Sequence, residues 1–548
     1  MSVLTKLTVP QRSTIAHEMF LSLPDSDNDN DVPNNWIYVT IGKAYPWSGN
    51  DTILQNPVET VNALNQVYRD MVAAKLIIKA DAAMVVRRVD WTSNTIYDQF
   101  DNNTEMYTHT KAVVANGTIN VSNGSTTITG TNTTFLLDFS NNDILQIPGD
   151  DISIFPSNYE IISISNNTQM TVNIGVSGNI VSNTSYNYRN YYPNMAYNFY
   201  VRNSYDQVFV CLYNNNGSYS TVMPQISLGG DLPTSAYIIT ADGYYWKYMY
   251  TIPGGYKQTF LTPEWMPVLE EAQVQLSAIP GGISLIEIVN TGSGYNNNVA
   301  SFSLPILNVS GDGTGANLTA QVDSNGSIVG VNVLNPGSGY TYATINVTGL
   351  TSGVPAQINA VIQPQGGWGS NAQLQLGSTT IMFSTQLTDT ENGTIPTVDS
   401  LGDYFKYRQI ALLSNPVIAN TTNIAQSTNY LMTSIISVSA NNPISMNDIV
   451  YQSPTGLYAN STYSANVVYF DDSTNQIRIN NEYGSFNSQD PIYATKDVNS
   501  SPYTTMTPFA YTAPPLTRFS GSILYYENRL PIERSPGQTE SIRLIASF

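Results

Sequence analysis

Hydrophobic residues repeat with a helical period only in the first hundred residues of the chain. Within residues 58–78 apolar side chains recur at spacings of three and four, which predicts one amphipathic helix that begins just after Pro57. A weaker pattern predicts a helix over residues 12–23, with Ser13 as its N-cap and a buried edge formed by Ile15, Met19 and Phe20. The apolar run at residues 36–42 predicts a strand between these two helices.

From about Lys111 onward, apolar and polar residues alternate, which is the period of a strand with one buried face. Turn signals punctuate the runs, and Asn123-Gly124 and Asn216-Gly217 are typical of hairpins. The C-terminal run SIRLIASF predicts a last strand that is paired into a sheet. The sequence therefore predicts a mainly β protein: a multi-domain β-sandwich or barrel-like framework with one or two N-terminal helices and inserted small β modules.

An internal repeat lies in the middle of the chain. Residues 286–295 read IEIVNTGSGY and residues 331–340 read VNVLNPGSGY, so each copy ends in a Gly-Ser-Gly turn where glycine permits positive φ. Two copies predict a duplicated β module rather than a long solenoid.

Changes of pattern divide the chain into seven segments. These are a first framework part at 1–111, an inserted β module at 112–187, a continuing second β domain at 188–275, the duplicated GSGY module at 276–370, a framework return at 371–429, another inserted β module at 430–500 and C-terminal framework strands at 501–548.

Charge and composition narrow the classes of function. The 548 residues contain 21 Lys and Arg against 40 Asp and Glu, a formal charge of −19, which argues against a nucleic-acid-binding protein. The single cysteine, Cys211, lies in an apolar run and is expected to be a buried small side chain. We see no signal peptide and no apolar run long enough for a membrane span, so we expect no membrane insertion.

Few residues offer catalytic or metal-binding chemistry. His17 and His109 have no partner motif nearby, and the acidic run at residues 25–31 departs from a calcium loop at its glycine and glutamate positions. The sequence does not bring any two carboxylates together for glycoside hydrolysis. The aromatic run with Trp246 and Tyr248 suits stacking on sugars or filling an interface, although a strand packing its own core is the simpler interpretation. We therefore expect no enzyme, no catalytic residues, no metal and no cofactor.

Four short patterns resemble, in order, the gene product eight family of baseplate wedge proteins in T-even-like contractile-tailed bacteriophages. The first is IGKAYPWSGNDT at 41–52, the second is VVRRVDW at 85–91 with Val89 as an added residue, the third is DGYYWKYMYTIP at 242–253, and the fourth joins YRQIALLSNP at 407–416 to YYENRLPIERSPGQTESIRLIASF at 525–548. The positions that carry the resemblance, and that are our structural or interface candidates, are Pro46, Trp47, Arg87, Arg88, Asp90, Trp91, Trp246, Tyr248, Arg408, Glu527, Asn528, Arg529 and Pro531.

The resemblance covers about half of the chain and implies a two-domain β-rich fold with the second domain inserted into the first. It implies a homodimer that contacts other subunits of the baseplate wedge, in the virion tail baseplate after assembly in the host cytoplasm, with no catalytic activity. The Arg87–Trp91 segment would lie near the crossing between domains, where we expect an ion pair or hydrogen-bonded joint. It could join domains or dimer partners, or act only within the protomer.

Two other functions stay open from the sequence. The first is a glycan- or receptor-binding tail or surface protein that uses aromatic platforms on its β inserts. The second, a polysaccharide-degrading enzyme with paired carboxylates, has less support, because no motif places those groups together.

Overall fold

The fold is described from a computed structural model of the chain. The residues described are 9–25, 35–47, 51, 55–58, 60–100, 113–114, 117–122, 124–138, 144–146, 159–172, 181–184, 187–189, 199–227, 237–295, 305–350, 353–439 and 444–548.

The predicted fold class is confirmed, because the chain is mainly β with 47% strand and 10% helix. The sheets are antiparallel, one of them is a nearly closed barrel of seven strands, and the helices are few and short.

The described residues form six α-helices: α1 (Val9–Leu21), α2 (Val61–Asp70), α3 (Phe135–Asp138), α4 (Gly254–Phe260), α5 (Ala272–Leu276) and α6 (Ala372–Gln375). Short 3-10 turns lie at Lys79–Asp81 and Tyr458–Asn460. The strands are β1 (Ile37–Gly42), β2 (Met71–Ile77), β3 (Ala82–Arg87), β4 (Val113–Val114), β5 (Thr118–Val121), β6 (Thr127–Thr131), β7 (Ile144–Gln146), β8 (Tyr159–Asn166), β9 (Gln169–Val172), β10 (Val181–Thr184), β11 (Asn187–Arg189), β12 (Tyr200–Arg202), β13 (Gln207–Tyr213), β14 (Ile238–Ile239), β15 (Tyr245–Thr251), β16 (Trp265–Pro267), β17 (Ile283–Asn290), β18 (Ile306–Gly311), β19 (Thr314–Val322), β20 (Ile328–Ser338), β21 (Ala343–Thr348), β22 (Gln357–Ile362), β23 (Thr380–Thr388), β24 (Phe405–Ser414), β25 (Asn429–Leu431), β26 (Ser434–Val438), β27 (Ile449–Gln452), β28 (Tyr463–Asp471), β29 (Gln476–Gly484), β30 (Ile492–Thr495), β31 (Thr504–Met506), β32 (Pro508–Thr512), β33 (Ser522–Arg534) and β34 (Thr539–Ser547).

The prediction of one helix over residues 58–78 is wrong beyond Asp70. Helix α2 begins after Thr60, whose side chain accepts a hydrogen bond from the Ala63 N–H, and the chain then continues directly into strand β2. The segment after Asp70 is apolar on both faces, so its residues fit a helical stripe and a buried strand equally well. The segment forms a strand because β2 pairs with β1 on one side and with β25 on the other.

The first predicted helix exists, but its boundaries and its buried face differ from the prediction. Helix α1 begins at Val9, so Ser13 lies inside the helix, fully buried, and is not an N-cap. Ala16 is buried with it, whereas Ile15, which we expected in the buried edge, is exposed.

The chain divides into two compact units. Unit 1 consists of residues 1–14, 84–379 and 548, and unit 2 consists of residues 15–83 and 380–547. Along the sequence, nearly all of unit 1 therefore lies between the two parts of unit 2.

Unit 2 contains a five-stranded sheet and a barrel. The sheet has the order β25-β2-β1-β24-β33, and its central pair runs in the register Ile37 opposite Ser414 and Gly42 opposite Gln409. Its core gathers Trp36, Tyr38 and neighbouring apolar side chains under α2. The barrel has the strand order β31-β30-β27-β28-β29-β26-β32, and strand β34 separately pairs with β23 along its whole length.

Unit 1 contains several sheets of its own. Eight short strands take the order β10-β5-β6-β9-β8-β7-β11-β4, and four aromatic-rich strands take the order β12-β13-β15-β14. The predicted turn at Asn216-Gly217 is present with positive φ at both residues, whereas Asn123 lies outside the described residues.

The duplicated module of unit 1 is intertwined. Strand β17 of the first copy pairs with β22 of the second, while β20 of the second copy pairs with β19 of the first. The two GSGY tyrosines make reciprocal contacts, because the Tyr295 N–H donates to the Gly326 carbonyl at 2.9 Å and the Tyr340 N–H donates to the Gly281 carbonyl at 3.1 Å. Each copy therefore completes the sheet of the other, which explains why two copies occur together.

Candidate functional site

Three of the motif segments identified in the sequence, the first pattern and both parts of the fourth, meet in unit 2 around Arg408. Arg408 lies on β24 and is only 2% exposed. Its Nε and Nη2 atoms donate to the two carboxylate oxygens of Asp51 at 2.7 and 2.6 Å, and its Nη1 donates to the Ala44 carbonyl at 2.5 Å. This bidentate geometry matches the planar guanidinium to a carboxylate, and the hydrogen bonds from Arg408 hold the pKa of Asp51 below its ordinary value. We call Lys43, Trp47, Asp51, Asp70 and Arg408 the Arg408 cluster.

The cluster also reaches the C-terminal motif. The Trp47 backbone N–H donates to Asp51 at 3.2 Å, and its ring N–H makes a long 3.5 Å contact with the Arg529 carbonyl. Beside it the Gln409 amide donates to Asn528 at 2.9 Å. The segments 41–52, 407–416 and 525–548 are thus joined by hydrogen bonds, although each is more than a hundred residues from the next along the chain.

Lys43 is the residue of this cluster with the most unusual environment. It follows Gly42 with a left-handed φ of 58°, and its ammonium lies 3.3 Å from the centre of the Tyr45 ring and 3.8 Å from the Asp70 carboxylate. Burial lowers the pKa of Lys43 to about 8, although the nearby Asp70 partly offsets this effect. Burial likewise raises the pKa of Asp70, because both groups are held away from water.

The remaining candidates of unit 2 lie on the accessible side of the same region. Arg529 and Glu527 form an ion pair at 2.5 Å, with the Arg529 side chain 47% exposed. Pro531 lies on β33 at a point where the pairing with β24 is interrupted opposite Arg408. Such an irregularity in an edge strand tolerates proline. Pro46 is exposed in the loop after β1.

A second polar site, in unit 1, is a chain of alternating charges. Arg88 and Arg202 both bind Asp90, at 2.6 and 2.7 Å, and Arg202 also binds Asp206 at 2.7 Å. Lys257 completes the chain with a 2.8 Å contact to Asp206. Burial alone would raise the pKa of Asp90, but the hydrogen bonds from the two arginines outweigh it and hold that pKa below its ordinary value.

The two residues that flank this chain have partners in unit 1 as well. The Arg87 guanidinium lies 4.3 Å from the centre of the Trp265 ring and 3.1 Å from Glu264. The Trp91 ring N–H donates to the Ser220 hydroxyl at 3.0 Å. The contacts described for this motif therefore tie strands of one unit together.

Trp246 and Tyr248 lie on β15 and point into the interior of unit 1. Trp246 stacks on Tyr244 at 5.4 Å and meets Tyr97 edge-on at 5.6 Å, while Tyr248 packs on Phe209. These rings fill a core, so they are not available to a sugar or a partner.

Among the described residues there is no group of three or more His, Cys, Asp or Glu side chains that could hold a metal ion. Cys211 is buried, and burial raises the pKa of its thiol. His109 and most of the acidic run at 25–31 lie outside the described residues, whereas Asp25 pairs with Lys79 at 2.9 Å. Within the described parts of the chain, no helix is long and apolar enough to span a membrane.

Sequence reasoning missed the partners of the motif residues. Asp51 lies inside the first motif, but nothing in the sequence pairs it with Arg408, and Arg202 is equally remote from Asp90. Two parts of the charge chain are local, since Asp90 follows Arg88 by two residues and Asp206 follows Arg202 by four, but no local signal joins these two pairs. Lys43 went unnoticed because its strained φ and its aromatic neighbours exist only after folding.

Two comparisons with known proteins place no further limits on function. The chain matches no protein-family model. No curated protein is significantly similar to it in sequence.

Proposed function

We propose that this chain is a structural subunit of the baseplate wedge of a contractile-tailed bacteriophage. In this proposal it forms a homodimer, contacts other wedge proteins in the virion, and has no enzymatic activity. It is made and assembled in the host cytoplasm, and it neither binds nucleic acid nor inserts into a membrane.

The observation that carries the proposal is the meeting of three motif segments, the first pattern and both parts of the fourth, around the Arg408 cluster. Short matches that arose by chance at 41–52, 407–416 and 525–548 would have no reason to share hydrogen bonds. Instead Arg408 of one motif binds Asp51 of another, and Asn528 of the last binds the neighbouring Gln409. A similar fold would bring such motifs together in one structural element, whereas chance similarity between short stretches of sequence would not.

The division of the chain adds support. Residues 84–379 of unit 1 are inserted between the two parts of unit 2, and the resemblance implies a two-domain fold with one domain inserted into the other. A scaffold under mechanical load also benefits from buried, bidentate ion pairs, because breaking such a pair leaves an unpaired buried charge. Arg408, which is almost fully buried and binds both carboxylate oxygens of Asp51, forms a pair of this kind.

The proposal is tested by the mass of the purified protein in solution, measured by light scattering. We expect a dimer of about twice 60.0 kDa that enters a larger complex when candidate wedge subunits of the same phage are coexpressed with it. A coexpressed protein unrelated to tails is the control and should leave the mass unchanged. A strict monomer that ignores every wedge subunit would contradict the proposal and favour the glycan-binding alternative.

A further inference from the structure

An arginine between two half-exposed aromatic rings stands apart from the sites described so far. The Arg69 guanidinium, at the end of α2 in unit 2, lies 4.5 Å from the centre of the Tyr483 ring and 5.5 Å from that of Phe519. Both rings are 46% exposed. One guanidinium N–H donates to the Glu482 carbonyl at 2.6 Å, which fixes the group while leaving further donors free of described partners.

Phe519 holds its position at a conformational cost. It is the third residue of a turn closed by the Ser520 N–H donating to the Thr517 carbonyl, and its φ is 62°. Glycine or asparagine normally occupies a third turn position with positive φ, and a bulky residue there is a clear outlier. The ring packs edge-on against Tyr68 at 5.7 Å, yet 46% of the residue stays exposed. Strain of this kind is more often retained where the side chain is used for binding.

The charge of Arg69 is also unusual for this protein. Most of the described arginines and lysines, among them Arg88, Arg408 and Arg518, have a carboxylate partner. Among the described residues Arg69 has none, because the neighbouring Glu482 carboxylate is taken by Arg518, Tyr463 and Tyr511. Arg69 is thus a partly exposed cation with no described carboxylate partner, in a protein whose net charge is −19.

We propose that Arg69, Tyr483 and Phe519 form a docking site for an acidic side chain of a partner protein. The carboxylate binds the free guanidinium N–H groups, and apolar neighbours of the acidic residue pack on the two exposed rings. Arginine and tyrosine anchors in such settings supply much of the affinity of protein interfaces. The proposal goes beyond the wedge function and does not depend on it.

The test uses two labelled pentapeptides, alanine-leucine-glutamate-leucine-alanine and its glutamine counterpart, titrated with the full chain by fluorescence anisotropy. We expect the glutamate peptide to bind about fivefold more tightly than the glutamine peptide, because an accessible charge pair contributes about that much to affinity. Arg69→Gln should abolish that preference. Phe519→Gly should weaken both peptides while leaving the melting temperature within about 2 °C of the parent, because the lost ring contact is offset by relief of the positive φ.

Arg478→Gln is the matched control. Arg478 also lies over a tyrosine ring, Tyr469 at 5.4 Å, and has no carboxylate partner among the described residues, so its loss should leave the preference for glutamate intact. Equal affinity of the parent for the two peptides would overturn the proposal, and so would a preference that survives Arg69→Gln. The measurement needs no baseplate protein, so its failure leaves the wedge proposal untouched.

Discussion

Replacing Asp51 with asparagine tests whether the Arg408 cluster holds unit 2 together. The substitution is nearly isosteric, yet it removes the counter-charge of a guanidinium that is almost fully buried. The asparagine amide keeps one oxygen acceptor, so one of the two hydrogen bonds from Arg408 to Asp51 is lost and the other becomes weaker. The carbonyl of Ala44 continues to accept from Arg408.

The size of the effect follows from the burial of the two partners. Breaking a fully buried ion pair costs about 3–5 kcal/mol, and one hydrogen bond to a charged group contributes about 1.5–3 kcal/mol. The Asp51 side chain is 30% exposed, so water compensates part of the loss. We therefore expect Asp51→Asn to lower the free energy of unfolding of unit 2 by about 2–3 kcal/mol.

The control is Glu527→Gln, which breaks the exposed pair with Arg529 in the same region. An exposed pair contributes no more than about 1 kcal/mol.

Hydrogen exchange read by mass spectrometry is the appropriate assay, because a chain of two compact units does not melt in one two-state step. In Asp51→Asn the slow amides of β1 and β24 should exchange about thirtyfold faster or more, as the expected energy implies. Amides of β15 in unit 1 serve as the internal reference and should not change. If β1 and β24 exchange in Asp51→Asn no faster than in Glu527→Gln, the cluster is not a stabilising centre and the argument fails.

Three further predictions address charge and backbone. The pKa values of Asp51 and Asp90 are held below their ordinary values in the folded protein. The stability that these carboxylates contribute is therefore complete above about pH 4 and should be lost as the pH falls through their pKa values in the folded state. Asp90→Asn should flatten the acid side of a plot of melting temperature against pH. The pKa of Lys43 has its ordinary value of 10.5 in the unfolded chain but is lowered to about 8 in the folded chain, so the stability of the parent relative to Lys43→Met should rise between those pH values. The rise in denaturant midpoints should correspond to less than about 3 kcal/mol, because the Tyr45 ring favours the ammonium; a flat difference would refute the lowered pKa. Gly326→Ala should destabilise the duplicated module in calorimetry by about 2 kcal/mol or more, since its Cβ would lie 2.7 Å from the Tyr295 carbonyl at a φ of +78°. Gly315→Ala, with the same sign of φ but open space, should cost only about 1 kcal/mol, and equal costs would exclude the collision.

The sequence predicted those features that depend on neighbours along the chain. An apolar run correctly indicated β1, and alternation of apolar and polar residues indicated the last strand β34. The glycines of the two GSGY turns have the positive φ that the sequence suggested. The same reasoning failed after Asp70, where an apolar segment is compatible with either period and only pairing with β1 and β25 selects the strand. Contacts between remote residues lie beyond local patterns altogether. Arg408 and Asp51 were each within a recognised motif, but their salt bridge is a property of the folded sheet.

The distribution of positive charge connects these observations. No lysine or arginine occurs between Lys111 and Arg189 or between Lys257 and Lys406, so the eight-stranded sheet and the duplicated module have almost no cations of their own. The cations of the rest of the chain are largely used inside it, in the Arg408 cluster and in the charge chain around Asp90. The surplus carboxylates must therefore face solvent or partners, and association with this protein should favour neutral or basic surfaces and weaken with salt. Arg69 lies between two half-exposed rings and has no described carboxylate partner, so at this site association would favour an acidic surface instead.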